Sequence, residues 1–490
     1  MSVLAFDLGA SSGRALAGGL DGGRLALEEI HRFPNDPVQV GARLHWDILR
    51  LYHEVKQGIL KAHQQGFAPR SIGIDSWAVD FGLIGANGEL LGNPYHYRDH
   101  HTDGIMDEVF ARVPKADIYA RTGLQFLQFN TIYQLAALVK ANSPVLAAAE
   151  KLLMIPDLLR YFLTGVMKGE YTNASTTQLV GALSRDWDDG LIAGIGVKRS
   201  LFPEIAQPGT FVGTLAPEVQ QELRVGPIPV VAVAEHDTGS AVAAVPALDR
   251  DFAYLSCGTW SLLGTELDRP VLTEQALAWN FTNEGGYGGT YRLLKNIMGL
   301  WLVQECQRVW EKEGRKFTFA ELAELAAAAP GFRSYVDPDD DRYLSPADMP
   351  AEIRAYCRET GQPVPETEGE VIRCVLESLA MKYRWVLERT EKLAGVTFGG
   401  LHIVGGGIHN TLLCRLTANA IRRPVWAGPA EGSAIGNVLV QLIAAGEIPS
   451  LAEGRRIVRD SFGVASYEPE DGESWAKEYE RFLKVVQLEA

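Results

Sequence analysis

The chain has 490 residues, more than the roughly 250–300 over which one hydrophobic core keeps growing, so two domains are expected. Hydrophobic residues make up 47% and charged residues 22%, a mixture typical of a globular protein rather than a disordered one. The formal net charge of −15 excludes a general electrostatic attraction to nucleic acid or anionic lipid. Any phosphate group must therefore be held by local features.

The N-terminal sequence MSVLAFDLGA has no basic segment before its apolar residues. No uninterrupted apolar run approaches the ~18–20 residues that a membrane span needs. We therefore expect a cytoplasmic protein with neither a membrane nor a nucleic-acid partner.

Three consecutive strands are predicted at the start, over VLAFDLG, GRALAGGL and RLALEEIHRF. Short turns of Gly, Ser and Asp separate them, which predicts an antiparallel meander rather than a βαβ unit. The apolar spacing then predicts a helix from Trp46 to Gln65, and Ser71 to Asp75 form the next predicted strand.

A similar pattern starts again at FAYLSCGTWSLLGTEL, which predicts a strand, a turn of small residues and a second strand. Aligning Gly9 with Gly258 also aligns Ser12 with Ser261. Two related halves that face each other would form a cleft, the usual place for a ligand site.

The stretch from Asp337 to Pro365 is rich in Pro and Asp, which predicts a long surface loop without a catalytic role. Thr367 and Glu370 then form a capping-box pattern that opens a long helix, and Gly395 ends it. The predicted strand Leu401 to Val404 leads directly into a triple glycine.

Two turns of small residues are candidate phosphate-binding loops. The first, Asp7 to Arg14, puts a carboxylate at a strand end before backbone amides that can surround phosphate oxygens. Asp7 is suited to hold Mg²⁺ through water, because Mg²⁺ keeps much of its hydration shell. The second, Ser256 to Ser261, adds the hydroxyl of Thr259. Each turn could instead be an ordinary hairpin without a ligand. The occurrence of the same type of turn in both halves favours a shared role.

A third candidate runs from Val404 to Asn410, where backbone glycines can approach a flat ring and Asn410 can cap the next helix. A dinucleotide fingerprint would need glycine in place of Asn410, and the chain has no Walker pattern. Both common nucleotide-binding folds are therefore disfavoured. Another helix begins at Glu431 to Ala434, and these residues could either cap the helix or contact a ligand.

Among the acidic residues, Asp237 is the most informative, because a buried-looking strand stops at the polar cluster around it. Phosphoryl transfer to an alcohol needs a group that accepts the hydroxyl proton, and a carboxylate here can do so. The alternative is an aspartate that caps the following helix. Asp80 and Glu284 are isolated acids that could each serve a turn or a sugar hydroxyl.

Taken in order, DLGASSGR, AEHDTGSA, SCGTWSLLG and GGGIHN resemble the FGGY carbohydrate kinases of the actin, hexokinase and chaperone-ATPase superfamily. The resemblance runs nearly end to end. It implies an α/β fold with two actin-like (ribonuclease H-like) domains, over residues 1–243 and 244–490, and an interdomain active-site cleft. Stretches such as GIDSWAVDFGLI, EYTNASTTQLV and LKNIMGLWLVQE resemble the family members that act on L-rhamnulose.

The same resemblance implies Mg-ATP-dependent phosphorylation of the 1-hydroxyl of L-rhamnulose in L-rhamnose catabolism, with Asp237 as the proton acceptor and Asp7 at the metal. His236, Asp237 and Thr238 would lie beside the sugar. The nucleotide contacts would come from Ala10, Ser11, Ser12, Gly13, Arg14, Thr259, Asn296, Gln304 and Gly406.

Ala78 stands where the family pattern TWGVDF has glycine, a position associated with sugar contact, and Asp80 lies in the same segment. One methyl group in a pocket is worth only about 1–3 kcal/mol of discrimination. We therefore expect an altered sugar affinity rather than a new substrate class.

Two alternatives remain at this stage. One is a kinase of the same family for another ketose, such as L-fuculose or D-xylulose. The other is a non-catalytic nucleotide-dependent clamp. Whether the chain is a monomer or a dimer is open.

Overall fold

The computed structural model describes residues 3–489. The chain forms two compact units, each assembled from separate stretches. The first contains the chain up to Leu248, Glu266–Leu293 and Gly432–Ser461; the second contains Asp249–Thr265, Leu294–Glu431 and the chain from Phe462 onward. Within residues 3–489, none of the helices combines the length and the apolarity that a membrane span requires.

The strands are labelled β1 to β19 in chain order. They span Val3–Leu8 (β1), Ser12–Asp21 (β2), Arg24–Pro34 (β3), Val38–Val40 (β4), Arg43–His45 (β5), Ile72–Ser76 (β6), Phe81–Gly85 (β7), Ala149–Met154 (β8), Gly169–Glu170 (β9), Ile205–Ala206 (β10), Thr210–Thr214 (β11), Pro229–Ala232 (β12), Ala253–Cys257 (β13), Trp260–Leu267 (β14), Thr282–Gly285 (β15), Tyr291–Met298 (β16), Leu401–Val404 (β17), Val425–Ala427 (β18) and Ala465–Tyr467 (β19).

The α-helices are labelled in the same way. They span Ile48–Gln64 (α1), Ile105–Phe110 (α2), Lys115–Thr122 (α3), Thr131–Lys140 (α4), Pro144–Ala148 (α5), Ile155–Thr164 (α6), Tyr171–Ala174 (α7), Asp189–Gly194 (α8), Pro217–Leu223 (α9), Asp237–Ala243 (α10), Glu274–Ala278 (α11), Trp301–Lys312 (α12), Phe319–Ala328 (α13), Met349–Glu359 (α14), Glu368–Ala394 (α15), Thr411–Ile421 (α16), Gly432–Ala444 (α17), Leu451–Ser461 (α18) and Gly472–Val485 (α19).

A mixed sheet with the strand order β11-β12-β6-β1-β2-β3 forms the centre of the first unit. The predicted meander is confirmed, because β1 pairs antiparallel with β2 and β2 pairs antiparallel with β3. On its other side β1 is parallel to β6, and β6 is parallel to β12. The central strand β1 is buried along its whole length, which explains its almost continuous apolar sequence.

The second unit repeats this pairing, as the restart of the sequence pattern predicts. Strand β13 is antiparallel to β14 and parallel to β17, and β18 and β19 follow beyond β17. A glycine N–H closes each turn: Gly9 donates to the Ser12 carbonyl and Gly258 to the Trp260 carbonyl, both at 2.9 Å. With Gly9 aligned to Gly258, the second turn therefore closes one residue earlier than the first.

Two predicted helices begin and end close to the expected residues. Helix α1 is capped by Asp47, whose side chain accepts from the Arg50 N–H. Helix α15 opens with the predicted capping box of Thr367 and Glu370 and ends at Gly395, which has a φ of 71°. These boundaries follow from local chemistry, which is why the sequence alone predicts them.

The prediction of a long surface loop from Asp337 to Pro365 is wrong in part. Helix α14 lies within this stretch, and the Asp348 side chain caps it by accepting from the Ala351 N–H. Asp337 also accepts a 2.8 Å hydrogen bond from Lys382, whose side chain is only 2% exposed. Asp348 thus caps a helix and Asp337 pairs with a buried cation, roles that a simple surface loop would not have.

Helices α10 and α17 make a very close contact in the first unit. A Cβ atom at Gly436 would lie 1.7 Å from the Ser240 carbonyl oxygen, so only glycine permits this approach. Helix α17 also turns two polar side chains toward the sheet: Asn437 donates to Asp75 at 2.6 Å, and Gln441 donates to the Leu4 carbonyl at 3.2 Å. Helix α17 therefore packs against α10 and also donates hydrogen bonds to the central strands β1 and β6.

Replacing Gly436 with alanine should lower the free energy of unfolding by about 2 kcal/mol or more, since the clash outweighs the better helix propensity of alanine. Denaturant unfolding followed by tryptophan fluorescence measures the change. Gly226→Ala is the matched control, because no atom of the described residues lies within 4 Å of a Cβ atom at that position. Equal losses in the two variants would contradict the close contact.

Candidate functional site

Acidic residues lie near the carboxyl ends of β1 and β6 and in the segment that follows β12. Asp7 near the end of β1 lies directly opposite Asp75 near the end of β6, and Ser76 forms a parallel bridge to His236, which follows β12. In open α/β sheets, ligands bind at the carboxyl ends of parallel strands. The parallel pairing therefore brings Asp7, Asp75 and Asp237 to one edge of the sheet.

Asp75 is fully buried at this edge. Its Oδ2 accepts from Asn437, whereas its Oδ1 has no hydrogen-bond partner among residues 3–489. Burial raises the pKa of Asp75 well above its ordinary value, and the nearby Asp7 raises it further. A buried polar atom without a partner in the protein is expected to meet water or a ligand.

The first small-residue loop leads from β1 into β2. Asp7 pairs with Arg14 at 2.6 Å. Asn35 supports the loop, because its side chain donates to the Gly9 carbonyl at 2.8 Å and its backbone N–H donates to Ser11 at 3.1 Å. The predicted phosphate-contact residues in this loop are Ala10, Ser11, Ser12, Gly13 and Arg14.

Asp237 is the first residue of α10, and its side chain is 27% exposed. Its Oδ1 accepts from the Thr238 N–H at 2.6 Å and lies 3.5 Å from Nε2 of His236. Burial raises the pKa of Asp237 above its ordinary value, while His236 acts in the opposite direction. The N-cap position belongs to His236, so Asp237 is not the capping residue that the alternative reading expected.

A buried ionic network underlies this segment. Arg160 donates to Glu235 at 2.8 Å and to Asp157 at 2.6 Å, and each of these side chains is at most 1% exposed. The Glu235 N–H donates to Glu170 at 3.2 Å, and the His236 N–H donates to the Thr172 hydroxyl at 3.1 Å. The backbone before Asp237 is therefore held by fully buried partners.

His236 also contacts two charged side chains of the first unit. Nη2 of Arg292 lies 3.0 Å from its Nδ1, and Oε2 of Glu284 lies 3.3 Å from the same atom. Arg292 is fully buried and donates through Nε to the Gly285 carbonyl at 2.9 Å. Glu284, an isolated acid in the sequence, is thus brought beside the His236 ring.

Asp80 is fully buried and accepts four hydrogen bonds. The donors are the indole N–H groups of Trp46 and Trp77, the side chain of Gln134 and the Tyr97 N–H, at 2.6, 3.1, 2.8 and 3.1 Å. Burial raises the pKa of Asp80 to about 7 even though the four donors oppose this shift. These hydrogen bonds fix Asp80 and the segment around it in place.

Ala78 is half-buried and begins a tight turn that Asp80 completes. The Asp80 N–H donates to the Ala78 carbonyl at 2.8 Å across Val79, which has a φ of 66°. This conformation is rare and strained for a β-branched residue. The Thr131 hydroxyl fixes the turn by donating to the Val79 carbonyl at 2.7 Å.

In the second unit, Thr259 lies in the turn between β13 and β14. Its carbonyl accepts from the Trp301 N–H at 3.0 Å, which holds the start of α12 against this turn. Gln304 lies on α12 and Asn296 on β16, and both are half-buried. The structure thus brings Thr259 and the helix that carries Gln304 together.

The triple glycine lies against the same strand, β13. A Cβ atom at Gly407 would lie 2.2 Å from Sγ of Cys257, so glycine is required for this packing. Gly406 is exposed beside it. Asn410 caps α16, as predicted, by accepting from the Leu413 N–H at 3.0 Å.

The family comparison matches both halves of the chain. Residues 2–244 match the N-terminal domain of the FGGY family of carbohydrate kinases, and residues 253–445 match its C-terminal domain. The chain belongs to the FGGY family of carbohydrate kinases. It is an ATP-dependent kinase, and the resemblance stated from its motifs is confirmed.

Curated relatives cover almost the whole of this FGGY kinase. It is 48% identical to the rhamnulokinase of Bacteroides thetaiotaomicron over 99% of both chains. It is 46% identical to the rhamnulokinase of Oceanobacillus iheyensis, over 95% of this chain and 97% of that one.

Solved structures share the fold at low sequence identity. A xylulose kinase from Lactobacillus acidophilus superposes with a TM-score of 0.82 at 18% identity, covering 99% of this chain and 97% of that one. A glycerol kinase from Plasmodium falciparum gives 0.76 at 17% identity, covering 100% and 99%. The predicted two-domain α/β fold of an FGGY sugar kinase is confirmed.

Three features of this kinase's site are absent from the sequence predictions. Asp75 lies at the end of a predicted strand, as Asp7 does, and this similarity could have predicted that Asp75 belongs to the same site. Arg292 is 56 residues from His236 in sequence, and Arg160 is 75 residues from Glu235. No local sequence pattern predicts either contact.

Replacing Arg160 with methionine should lower the free energy of unfolding by about 3–5 kcal/mol, because it leaves two buried carboxylates without their cation. Denaturant unfolding checks this value. Arg456→Met is the matched control: its ion pair with Glu453 is exposed, so a change within about 0.5 kcal/mol is expected. A loss of similar size in both variants would show that the buried network contributes nothing special.

The stability difference between the wild type and Asp80→Asn should depend on pH. Folded Asp80 holds its proton up to a pKa of about 7, whereas the unfolded side chain releases it near its ordinary value. The folded state therefore binds more protons in between, and the wild type should lose stability relative to Asp80→Asn as pH rises from about 4 to 7, by at most about 1.4 kcal/mol per pH unit. Unfolding of both proteins across this range measures the difference. A flat difference would mean that Asp80 is ionised throughout.

Proposed function

We propose that this kinase transfers the γ-phosphoryl group of ATP to the 1-hydroxyl of L-rhamnulose, giving L-rhamnulose 1-phosphate and ADP. The observation that carries the proposal is the 48% identity to a rhamnulokinase over 99% of both chains. The solved neighbours at 18% identity support the fold and do not favour one sugar. A ketose such as L-fuculose or D-xylulose is a weaker alternative for the same site.

Asp237 is the proton acceptor in this proposal. Its side chain is partly exposed, while the backbone before it is fixed by Glu170 and Thr172. A base that takes the hydroxyl proton during transfer works best when its pKa is shifted toward the operating pH, and burial shifts Asp237 in that direction. His236 and Thr238 flank it on the sugar side, and Ala78 is the partly exposed residue of the second sugar-contacting segment. Asp80, predicted as a sugar contact, is fully buried and bonded to four protein donors, so in this proposal it supports that segment instead of touching the sugar.

The acidic strand ends fit a magnesium ion. Carboxylate oxygens are the ligands that Mg²⁺ prefers, and the buried Oδ1 of Asp75 has no hydrogen-bond partner among residues 3–489. Within these residues no group of three acidic, His or Cys side chains is arranged to hold a metal directly, so Asp7 would bind the ion through water. When bound, Mg²⁺ neutralises phosphate charge.

The nucleotide contacts come from both halves of the sequence. Residues 1–243 contribute the sugar site and the loop from Ala10 to Arg14; residues 244–490 contribute the ATP contacts Thr259, Asn296, Gln304 and Gly406. Backbone amides and Arg14 can hold the phosphates locally, so a net charge of −15 is no obstacle. We place the enzyme in the cytoplasm, with L-rhamnulose and ATP as its partners and neither nucleic acid nor membrane.

The substitution Asp237→Ala should lower kcat by about 10²–10⁴-fold, because it removes the group that accepts the proton. Coupled ADP release with Mg-ATP measures it, using L-rhamnulose, L-fuculose, D-xylulose, L-ribulose and glycerol. Asp460→Ala, which removes an exposed carboxylate on α18, is the control and should be unchanged.

Preference for L-rhamnulose that is lost in Asp237→Ala supports both the substrate and the base. Preference for another sugar would overturn the substrate and keep the kinase. Sugar-independent nucleotide binding that survives in Asp237→Ala, with no turnover by the wild type, would instead favour the clamp.

A further inference from the structure

The ring of His236 has two charged neighbours at the same nitrogen atom. Arg292 on β16 places Nη2 3.0 Å from Nδ1, and Glu284 on β15 places Oε2 3.3 Å from it. The two neighbours also pair with each other at 3.2 Å. The other ring nitrogen, Nε2, faces Asp237 at 3.5 Å.

These two neighbours favour opposite protonation states of the Nδ1 atom. A guanidinium group can only donate hydrogen bonds, so beside Arg292 the Nδ1 atom must accept and carry no proton. A carboxylate can only accept, so Glu284 alone would favour a proton on Nδ1. The tautomer of His236 depends on which neighbour prevails.

The geometry favours Arg292. It is the nearer neighbour, and a proton on Nδ1 would point at a guanidinium N–H across 3.0 Å. The negative charge of Glu284 is already met by Arg292 at 3.2 Å. Arg292 is also fully buried and fixed through Nε, which donates to the Gly285 carbonyl at 2.9 Å, so it cannot easily turn away.

We propose that Arg292 is a positioning residue that fixes His236 as the tautomer protonated on Nε2, so that His236 donates toward Asp237 and the bound sugar. The part that concerns the sugar rests on the proposed function. The tautomer itself is a property of the free protein.

This assignment has a consequence for the reaction. With a proton on Nε2, His236 cannot compete with Asp237 for the hydroxyl proton of the sugar. Its N–H can instead steady the Asp237 carboxylate or donate to a sugar oxygen. At 3.5 Å the present separation is long for a hydrogen bond, which leaves that donor available to a substrate oxygen. The sugar atom at His236 must therefore be an acceptor, such as a carbonyl or hydroxyl oxygen.

The direct test is the ¹⁵N spectrum of the histidine side chains in the full-length protein at neutral pH. His236→Gln identifies the His236 signals among those of the ten histidines. We expect a protonated Nε2 and an unprotonated Nδ1 in the wild type. A proton on Nδ1, or on both nitrogens, would overturn the proposal.

Three variants separate Arg292 from Glu284. In Glu284→Gln, Arg292 still donates, so the same tautomer is expected; a switch would mean that Glu284 decides it. Arg292→Lys keeps a donor and should retain the tautomer and most of the activity. Arg292→Met should shift the ring toward the tautomer protonated on Nδ1 and lower kcat by on the order of 10-fold to 100-fold through misplacement of Asp237.

Arg292→Met removes a buried cation that pairs with the buried Glu284, and the variant can unfold for that reason alone. The double variant Arg292→Met/Glu284→Gln removes both charges and keeps the test valid: it should unfold at a higher temperature than Arg292→Met, because no buried charge loses its counterion, yet lose the single tautomer and much of kcat. An unchanged tautomer in the folded double variant would overturn the proposal. A loss of preference for L-rhamnulose with the expected tautomer would overturn only the proposed substrate.

Discussion

Parallel pairing of β1, β6 and β12 is the constraint on which the proposed active-site residues of the first unit depend. It places Asp7 opposite Asp75 and brings the segment with His236 and Asp237 alongside. Like charges at one edge repel one another, so the arrangement persists only because other groups support it. Arg14 pairs with Asp7, and Asn437 donates to Asp75 from helix α17. What remains is an acidic edge where Oδ1 of Asp75 is buried and finds no hydrogen-bond partner among residues 3–489, an environment that suits a divalent cation and the phosphates bound to it.

Buried cations and hydrogen-bond donors fix the positions of the proposed catalytic segment. Arg160 fixes the backbone before Asp237 through Glu235, and Arg292 contacts the ring of His236. Asp80, in contrast, is an acceptor: two indole N–H groups and two amide N–H groups donate to it next to the strained turn at Val79. Such partners lose their water on burial, so each is costly if its counterpart is removed. Side chains that contact such partners have few alternative positions.

Local chemistry explains which features the sequence could predict. The meander of β1 to β3, the capping box of Thr367 and the strand before the triple glycine each depend on residues within a few positions of one another. The partnership of Asp7 with Asp75, by contrast, depends on strand pairing across a whole helix, and that of Arg292 with His236 on the arrangement of the folded unit. The acidic stretch after Asp337 was misjudged for a related reason: its cation, Lys382, lies on a helix that follows much later.

The most direct test of Asp237 as the base at this acidic edge is a crystal structure of the enzyme with L-rhamnulose, Mg²⁺ and a non-hydrolysable ATP analogue. The expected result places the 1-hydroxyl oxygen about 2.6–3.2 Å from the Asp237 carboxylate, which is the reach a general base requires. The magnesium ion should lie on the Asp7 side of the same edge. A sugar bound with its 1-hydroxyl directed away from Asp237, or a magnesium ion remote from Asp7 and Asp75, would contradict it.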